Sequence, residues 1–297
     1  MSKYHIQEIE LNGESSHAKL LKLVGTNKKV LEMGCATGYV SKMMKEKLNC
    51  YVTGIEIDPD AAKEAEKHCE KVIVGDIEEM DFSTTLGKER FDVITFGDVL
   101  EHLNDPSKIL KALYPFLVDD GYILASIPNI AHISVALELL EGKFEYRSLG
   151  LLDDTHIRFF TKKSILSLFR KAGYEIVFWD RVIVRPEDTE FQTALESYPY
   201  SLLSFFEAGN ECLTYQFIVK AIPYALNRNL EELQSEWKNT ILQELRDKLA
   251  DKERQMRDIK RELDDKKREL ETVYNSYSWR ITAPLRWLNK HLRKEGK

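Results

Sequence analysis

The sequence predicts an α/β fold, a mostly parallel seven-stranded sheet with helices on its faces, followed by a long C-terminal helix. Two observations carry the sheet. Residues 28–127 alternate short apolar runs with amphipathic stretches, the pattern of βαβ units with right-handed crossovers. The runs are continuous rather than alternating, as expected of strands covered on both faces. A third observation carries the helix: after Pro223 the apolar residues keep heptad spacing within a charge-dense stretch.

In chain order, KKVLEM, CYVTGIEI, KVIVGD, FDVITF and GYILASI read as buried strands. Between them YVSKMMKEKL, DAAKEAEKHC and DPSKILKALYPFL read as helices, with Asp60 and Asp105 as N-caps. Asp58, before Pro59, reads as a helix or turn cap. Residues 128–160 carry a helical segment and then an aromatic, polar stretch. They follow a strand end, where open α/β sheets take their ligands. TKKSILSLFRKAGY is a helix with Thr161 as N-cap and Gly173 closing it. YEIVFWDRVIV and ECLTYQFIVKAI alternate as a final pair of strands, with a helical insert between them.

Beyond Pro223, residues 244–271 hold 20 charged side chains in 28 positions. Leu242, Leu245, Leu249, Met256, Ile259, Leu263, Leu270 and Val273 keep gaps of three and four, with Lys252 and Lys266 at the remaining seam positions. Leu230, Leu233 and Trp237 follow the same spacing in another phase, so a phase break falls near residue 240. A helix of about 45 residues would run roughly 65 Å. The expectation is a coiled coil and a homo-oligomer. The end is basic and carries Trp279, Ile281, Leu285, Trp287, Leu288 and Leu292, with Pro284 in a first helical turn. Such a segment suits an anionic membrane surface or a partner groove. The expected division is a domain over 1–223, a coiled-coil helix over 224–274 and a basic amphipathic tail over 275–297.

Composition sets bounds on function. With 43% hydrophobic and 10% aromatic residues the chain has a packed core, which excludes wholly disordered and collagen-like classes. Four cysteines without CxxC spacing argue against zinc knuckles and redox motifs and fit a reducing cytoplasm. The net charge of −6 hides a split. Residues 226–297 are net +4 and the body is net −10, and an acidic body argues against nucleic acid as a partner.

The chemistry-bearing residues stand at strand ends. Glu32-Met33-Gly34-Cys35-Ala36-Thr37-Gly38 ends the first strand and opens a helix, its glycines permitting a tight turn beside a ligand. Glu56 closes the next strand, 22 residues after Gly34, where an acid accepts from both ribose hydroxyls. Glu32 beside the turn would repel a pyrophosphate and suits a cationic ligand with an amine and a sulfonium. Gly75-Asp76-Ile77 ends the third strand, and Asp98-Val99-Leu100-Glu101-His102 follows the fourth. If helical, Asp98 and Glu101 share a face. A second histidine, His156, lies in Asp153-Asp154-Thr155-His156. Asn129 and His132 are further candidates to line an acceptor site.

This ordered set resembles the class I S-adenosylmethionine-dependent methyltransferases over about residues 13–222, with Ala36 in place of a frequent middle glycine. The resemblance implies a Rossmann-like methyltransferase fold. It implies that Glu32 contacts the amino acid moiety of the cofactor, that Gly34, Ala36 and Gly38 shape the turn, and that Glu56 holds the ribose. It further implies that Asp76 with Ile77 frames the adenine and that Asp98 adjoins the cofactor. The acid-x-x-Glu-His motif with a downstream His is similar to O-methyltransferases in which such a cluster binds a divalent metal, here Asp98, Glu101, His102 and His156. An alcohol must lose its proton as it attacks a methyl, and a His near neutrality can accept it. His156 or His102 is therefore the expected base, with Glu101 orienting or coordinating.

Tyr274–Arg286 is similar to a segment of bacterial cell-surface polysaccharide proteins, often glycosyltransferases. That likeness implies a sugar or glycan acceptor, a glycosyltransferase or membrane partner for the tail, and a cytoplasmic enzyme peripheral at the inner face of the membrane. The alternatives are a quinone-like or other small-molecule acceptor, and a non-catalytic scaffold on a degenerate methyltransferase fold.

Overall fold

Parallel pairing of the five central apolar runs builds the middle of the sheet. In the computed structural model the described residues are 10–224 apart from 12 and 208–210, then 263–273, scattered positions between 246 and 261, and 282 and 284. The chain divides into two compact units, Met1–Arg228 and Asn229–Lys297. The strands of the first are β1 (Lys29–Met33), β2 (Tyr51–Glu56), β3 (Lys71–Val74), β4 (Phe91–Gly97), β5 (Leu117–Pro128), β6 (Tyr174–Ile183) and β7 (Thr214–Pro223). They form one seven-stranded sheet in the order β3-β2-β1-β4-β5-β7-β6. β1 through β5 pair in parallel, and β7 runs antiparallel to both β5 and β6. The expected Rossmann-like methyltransferase sheet is thus the observed one.

The helices of this unit are α1 (Ser16–Val24), α2 (Tyr39–Leu48), α3 (Pro59–Ala65), α4 (Phe82–Leu86), α5 (Pro106–Leu113), α6 (Ile133–Leu140), α7 (Lys162–Lys171) and α8 (Tyr200–Glu207). α1 and α4 have no counterpart among the helices expected from the sequence. The cap expected at Asp60 is instead Asp58, which accepts from the N–H groups of Asp60 and Ala61. Pro59 explains this, because its fixed φ and missing N–H suit the first helical position and make the preceding acid the cap. Asp105 and Thr161 cap as expected, Thr161 through a reciprocal box with Ser164.

The core lies between sheet and helices around Leu31, Met33, Ile55, Phe91, Ile94, Phe96, Ile123 and Phe217. Two tyrosines cross-link its layers. Tyr122 donates to the Leu23 and Val24 carbonyls at the end of α1, and Tyr174 donates to the Leu110 carbonyl of α5. The parallel register aligns the carboxyl ends of β1, β2 and β4, with Glu32 opposite Gly54 and Thr95. Every chemistry-bearing strand end therefore opens on one edge.

In the second unit the described stretch 263–273 is helical. The heptad side chains Leu249, Met256, Ile259, Leu263, Leu270 and Val273 are all more than half exposed. Leu230, Leu233, Trp237, Leu242 and Leu245, and the tail residues Trp279, Ile281, Leu285, Trp287, Leu288 and Leu292, lie outside the described residues.

Lys220 on β7 is a buried cation in this core. Burial, and then the charge of Lys28, push its ammonium down to about 7. Its Nζ lies 3.6 Å from the centre of the Tyr122 ring, a contact that favours the charged form but is outweighed by the desolvation. Between pH 7 and the unfolded value near 10.4 the unfolded chain holds a proton that the native chain has lost, so stability rises with pH across that window. Lys220→Met should raise stability at pH 7 by on the order of 3 kcal/mol, and the gain should shrink as pH approaches the unfolded value. Thermal melts of both proteins at neutral and alkaline pH check this; a variant that melts below wild type at pH 7 contradicts it.

Candidate active site

The turn after β1 is built from left-handed residues. Gly34 has φ +64°, Ala36 +47° and Gly38 +79°. A Cβ at Gly38 would lie 2.8 Å from the Ala65 Cα, and one at Gly34 2.8 Å from a Val99 methyl, so neither position admits a side chain. Ala36 tolerates its strained φ because its N–H donates to Glu56 Oε2 at 2.7 Å. The other Glu56 oxygen accepts from the Asp58 N–H at 3.0 Å. One buried carboxylate thus fastens the loop after β1 to the loop after β2.

Glu32 is buried and accepts from the Ser41 hydroxyl on α2. Burial dominates its titration and pushes its carboxyl up to about 8, with Cys69 and Glu56 adding in the same direction. A carboxyl so placed gains most from a cation, which offsets the desolvation. This is the observation on which S-adenosylmethionine, with its amine and sulfonium, fits the residues present. Asp76 is exposed and caps its own turn, accepting from the Glu78 N–H at 2.9 Å, and Ile77 is buried beside it.

After β4 the chain turns at Asp98, whose φ is +56°. Asp98 is not helical; the helix proposed for Asp98–His102 is a 3-10 turn over Leu100–His102. Asp98 Oδ1 accepts from Ser126 Oγ at 2.7 Å and from Gln216 Nε2 at 2.9 Å. Glu101 is 1% exposed and neither of its carboxylate oxygens has a hydrogen-bond partner. Burial, then the charge of Asp98, holds its carboxyl well above the ordinary range. The Glu101 carbonyl accepts from the Ile157 and Arg158 N–H groups, which fixes His156 beside it. His156 Nε2 lies 3.9 Å from Glu101 Oε1, and the His102 and His156 rings meet edge to face at 4.9 Å.

Both histidines are oriented by the backbone. His156 Nδ1 faces the Leu151 carbonyl at 3.3 Å and His102 Nδ1 faces the Thr155 carbonyl at 3.1 Å. A carbonyl only accepts, so each Nδ1 donates a hydrogen in these contacts. Burial, then His102, pushes the His156 imidazole below its ordinary pKa. Both shifts disfavour charge on the Glu101–His156 pair.

One atom each of Glu101, His102 and His156 falls within 4.8 Å of the others. Asp98, expected in the same ligand set, is not among them; Ser126 and Gln216 hold its carboxylate instead. Asn129 and His132 do not line this site. Both are fully buried: Asn129 donates to the Glu211 and Thr214 carbonyls, and His132 caps α6 and bonds the Val184 carbonyl. Ser41, Ser126 and Gln216 were not singled out from the sequence. Ser126 stands near a strand end and was open to that reading, whereas Gln216 reaches Asp98 only through the β5–β7 pairing.

A carboxylate-lined glycine turn on this sheet defines a nucleoside-binding enzyme that takes a cationic ligand. A family described as a methyltransferase domain matches residues 10–177. The chain belongs to that family and is an S-adenosylmethionine-dependent methyltransferase. It is 28% identical over 173 residues to the ubiquinone biosynthesis O-methyltransferase of Paraburkholderia phymatum, covering 57% of this chain and 72% of the relative. To that of Actinobacillus pleuropneumoniae it is 36% identical over 129 residues, covering 41% of this chain and 55% of the relative, little more than half its length. Among solved structures it resembles magnesium protoporphyrin IX methyltransferase from Synechocystis with bound SAH, with a TM-score of 0.50, 12% identity and coverage of 74% and 91%. It also resembles a SAM-dependent methyltransferase from Archaeoglobus fulgidus, with a TM-score of 0.50, 17% identity and coverage of 69% and 91%. At these identities the structural likeness is one of fold.

Replacing Glu56 removes the two hydrogen bonds that join the loops after β1 and β2. Glu56→Ala should weaken S-adenosylmethionine binding by roughly 10- to 100-fold, measured by titration calorimetry. An unchanged dissociation constant would take Glu56 out of the cofactor site.

Proposed function

We propose that the chain is an O-methyltransferase whose acceptor is a hydroxyl on a phenolic, quinone-like ring. The observation that carries the O-directed reading is the cluster of His102 and His156 with the buried Glu101, one atom of each within 4.8 Å of the others. The phenolic acceptor is supported by the relatives named as ubiquinone biosynthesis O-methyltransferases. When bound, S-adenosylmethionine supplies an electrophilic methyl group. Glu32 would hold its amino acid moiety, Glu56 its ribose, and Asp76 with Ile77 its adenine. The chain's remaining work is to orient the hydroxyl in line, exclude water and take a proton. His156 takes that proton at Nε2, its Nδ1 hydrogen anchored on the Leu151 carbonyl. His102 stands beside it, its Nδ1 likewise donating to a carbonyl, and Glu101 holds the pair in place.

The same three residues fit a divalent cation. The buried Glu101 carboxylate has no protein partner, and each histidine gives its second nitrogen to a backbone carbonyl, the outer-shell arrangement of metal-bound imidazoles. Glu101, His102 and His156 would hold the ion; it would then occupy the His156 lone pair and lower the pKa of the hydroxyl in place of a histidine base.

A second reading, a sugar or glycan acceptor in surface-polysaccharide synthesis, is favoured by the Tyr274–Arg286 segment. In that reading the heptad helix joins copies of the chain and the basic tail meets a glycosyltransferase or the inner membrane face.

His156→Ala should lower turnover about 10²- to 10⁴-fold while leaving S-adenosylmethionine binding unchanged. Radiolabelled methyl transfer to phenolic and glycan fractions measures it, and near-normal turnover removes His156 as the base. Exhaustive dialysis against a chelator separates the two roles: transfer lost and then restored by a divalent ion makes the histidines ligands rather than bases. Full activity after chelation would leave proton transfer to the histidines without an ion.

A further inference from the structure

Beyond the histidine pair the wall of the site becomes aromatic. The Phe159 ring lies 6.4 Å from the His156 ring. Phe144 meets Phe159 edge to face at 5.9 Å, and Tyr146 meets it at 6.4 Å with the planes tilted by 36°. Phe144 and Tyr146 pack against each other at 5.6 Å. Phe159 is partly buried, whereas Phe144 is 43% and Tyr146 56% exposed. The rings therefore run outward from the proposed base as one continuous surface.

The segment that carries them is braced from behind. Arg147 takes a hydrogen bond from Asp154 on its carbonyl and gives one from its N–H to the Leu152 carbonyl. Its guanidinium donates to the Glu190 carbonyl, lies 3.6 Å from the Glu138 carboxylate and stacks over Phe191 at 4.5 Å. Glu190 in turn accepts from the Leu151 N–H and the Tyr215 hydroxyl. The loop bearing Phe144 and Tyr146 is thus tied down on both sides of Arg147 by backbone and side-chain bonds. Exposing two aromatic rings to water on a braced loop is unfavourable for folding alone, and their edge-to-face geometry leaves ring faces and edges available to a third ring.

We propose that Phe144, Tyr146 and Phe159 form the acceptor subsite and select a flat, uncharged aromatic ring whose hydroxyl reaches His156. This rests on the phenolic reading above and names the residues that impose it. The charge-poor ring face would bind the acceptor's body, and the polar centre would act only on its oxygen. Phe144 and Tyr146 are thus specificity residues rather than catalytic ones.

The test uses the full chain, radiolabelled S-adenosylmethionine and two probes, catechol and methyl α-glucoside. Phe144→Ala and Tyr146→Ala should each raise the KM for catechol about five- to tenfold, with kcat and S-adenosylmethionine affinity unchanged; Tyr146→Phe should keep the wild-type KM. Both rings are exposed, so circular dichroism and melting should match wild type. Wild-type turnover of catechol with an unchanged KM in both alanine variants overturns the subsite while leaving the phenolic reading intact. Wild-type transfer to methyl α-glucoside but not to catechol overturns both together. Unchanged KM values with lost cosedimentation on anionic phospholipid vesicles would assign the rings to a lipid surface and overturn the subsite.

Discussion

Burying a carboxyl away from water costs several kcal/mol unless a cation, a proton or hydrogen-bond donors compensate. Among the described residues this fold buries Asp153, bonded to Thr155, and, at the ends of its strands, Glu32, Glu56 and Glu101. Each is compensated differently. Glu56 satisfies its oxygens with the N–H groups of Ala36 and Asp58. Glu32 has one hydroxyl donor and is pushed toward its protonated form. Glu101 has no donor at all. The three strand-end carboxyls thus run from fully bonded to unbonded within the protein.

The β4 exit makes this possible. Asp98 adopts a left-handed backbone that a non-glycine residue holds only at a cost. Ser126 and Gln216 hold its carboxylate from β5 and β7, so the antiparallel strand next to β5 contributes to this turn. The turn that follows delivers Glu101 inward and offers its carbonyl to the segment bearing His156. A residue 55 positions away is thereby fixed beside Glu101 by backbone bonds, and its imidazole needs no charged partner to stay oriented.

Much of this was legible because strands announce themselves. Glu32, Glu56 and Asp76 stand at the ends of apolar runs, and a run's end in a parallel sheet is a place in space. The cap at Asp58 was legible through Pro59. What stayed hidden depends on pairing between distant segments. Gln216 looks like any polar residue on an alternating strand, and only the register opposite Pro128 brings it to Asp98. Asn129 and His132 carried the right chemistry near the right strand end, yet the backbone of the β7 approach and the loop after β6 consume their polar atoms. Phe144 and Tyr146 lie in a stretch without periodicity, where no pattern separates a ring that packs from one that waits for a partner.

The placement of charge divides the labour between reactivity and choice. A proton acceptor at the His102–His156–Glu101 cluster would have little regard for what bears the oxygen, since a hydroxyl of a phenol or of a sugar offers the same proton. Discrimination must then come from groups that touch the rest of the acceptor, because selectivity is a difference in binding between competitors and not a property of the reacting atom. In this chain the side chains that continue outward from His156 are aromatic and held rigid by Arg147 and Glu190. Rigidity matters as much as chemistry there: a ring already in place loses little conformational freedom on binding, so the aromatic wall discriminates at low cost while the polar centre remains general.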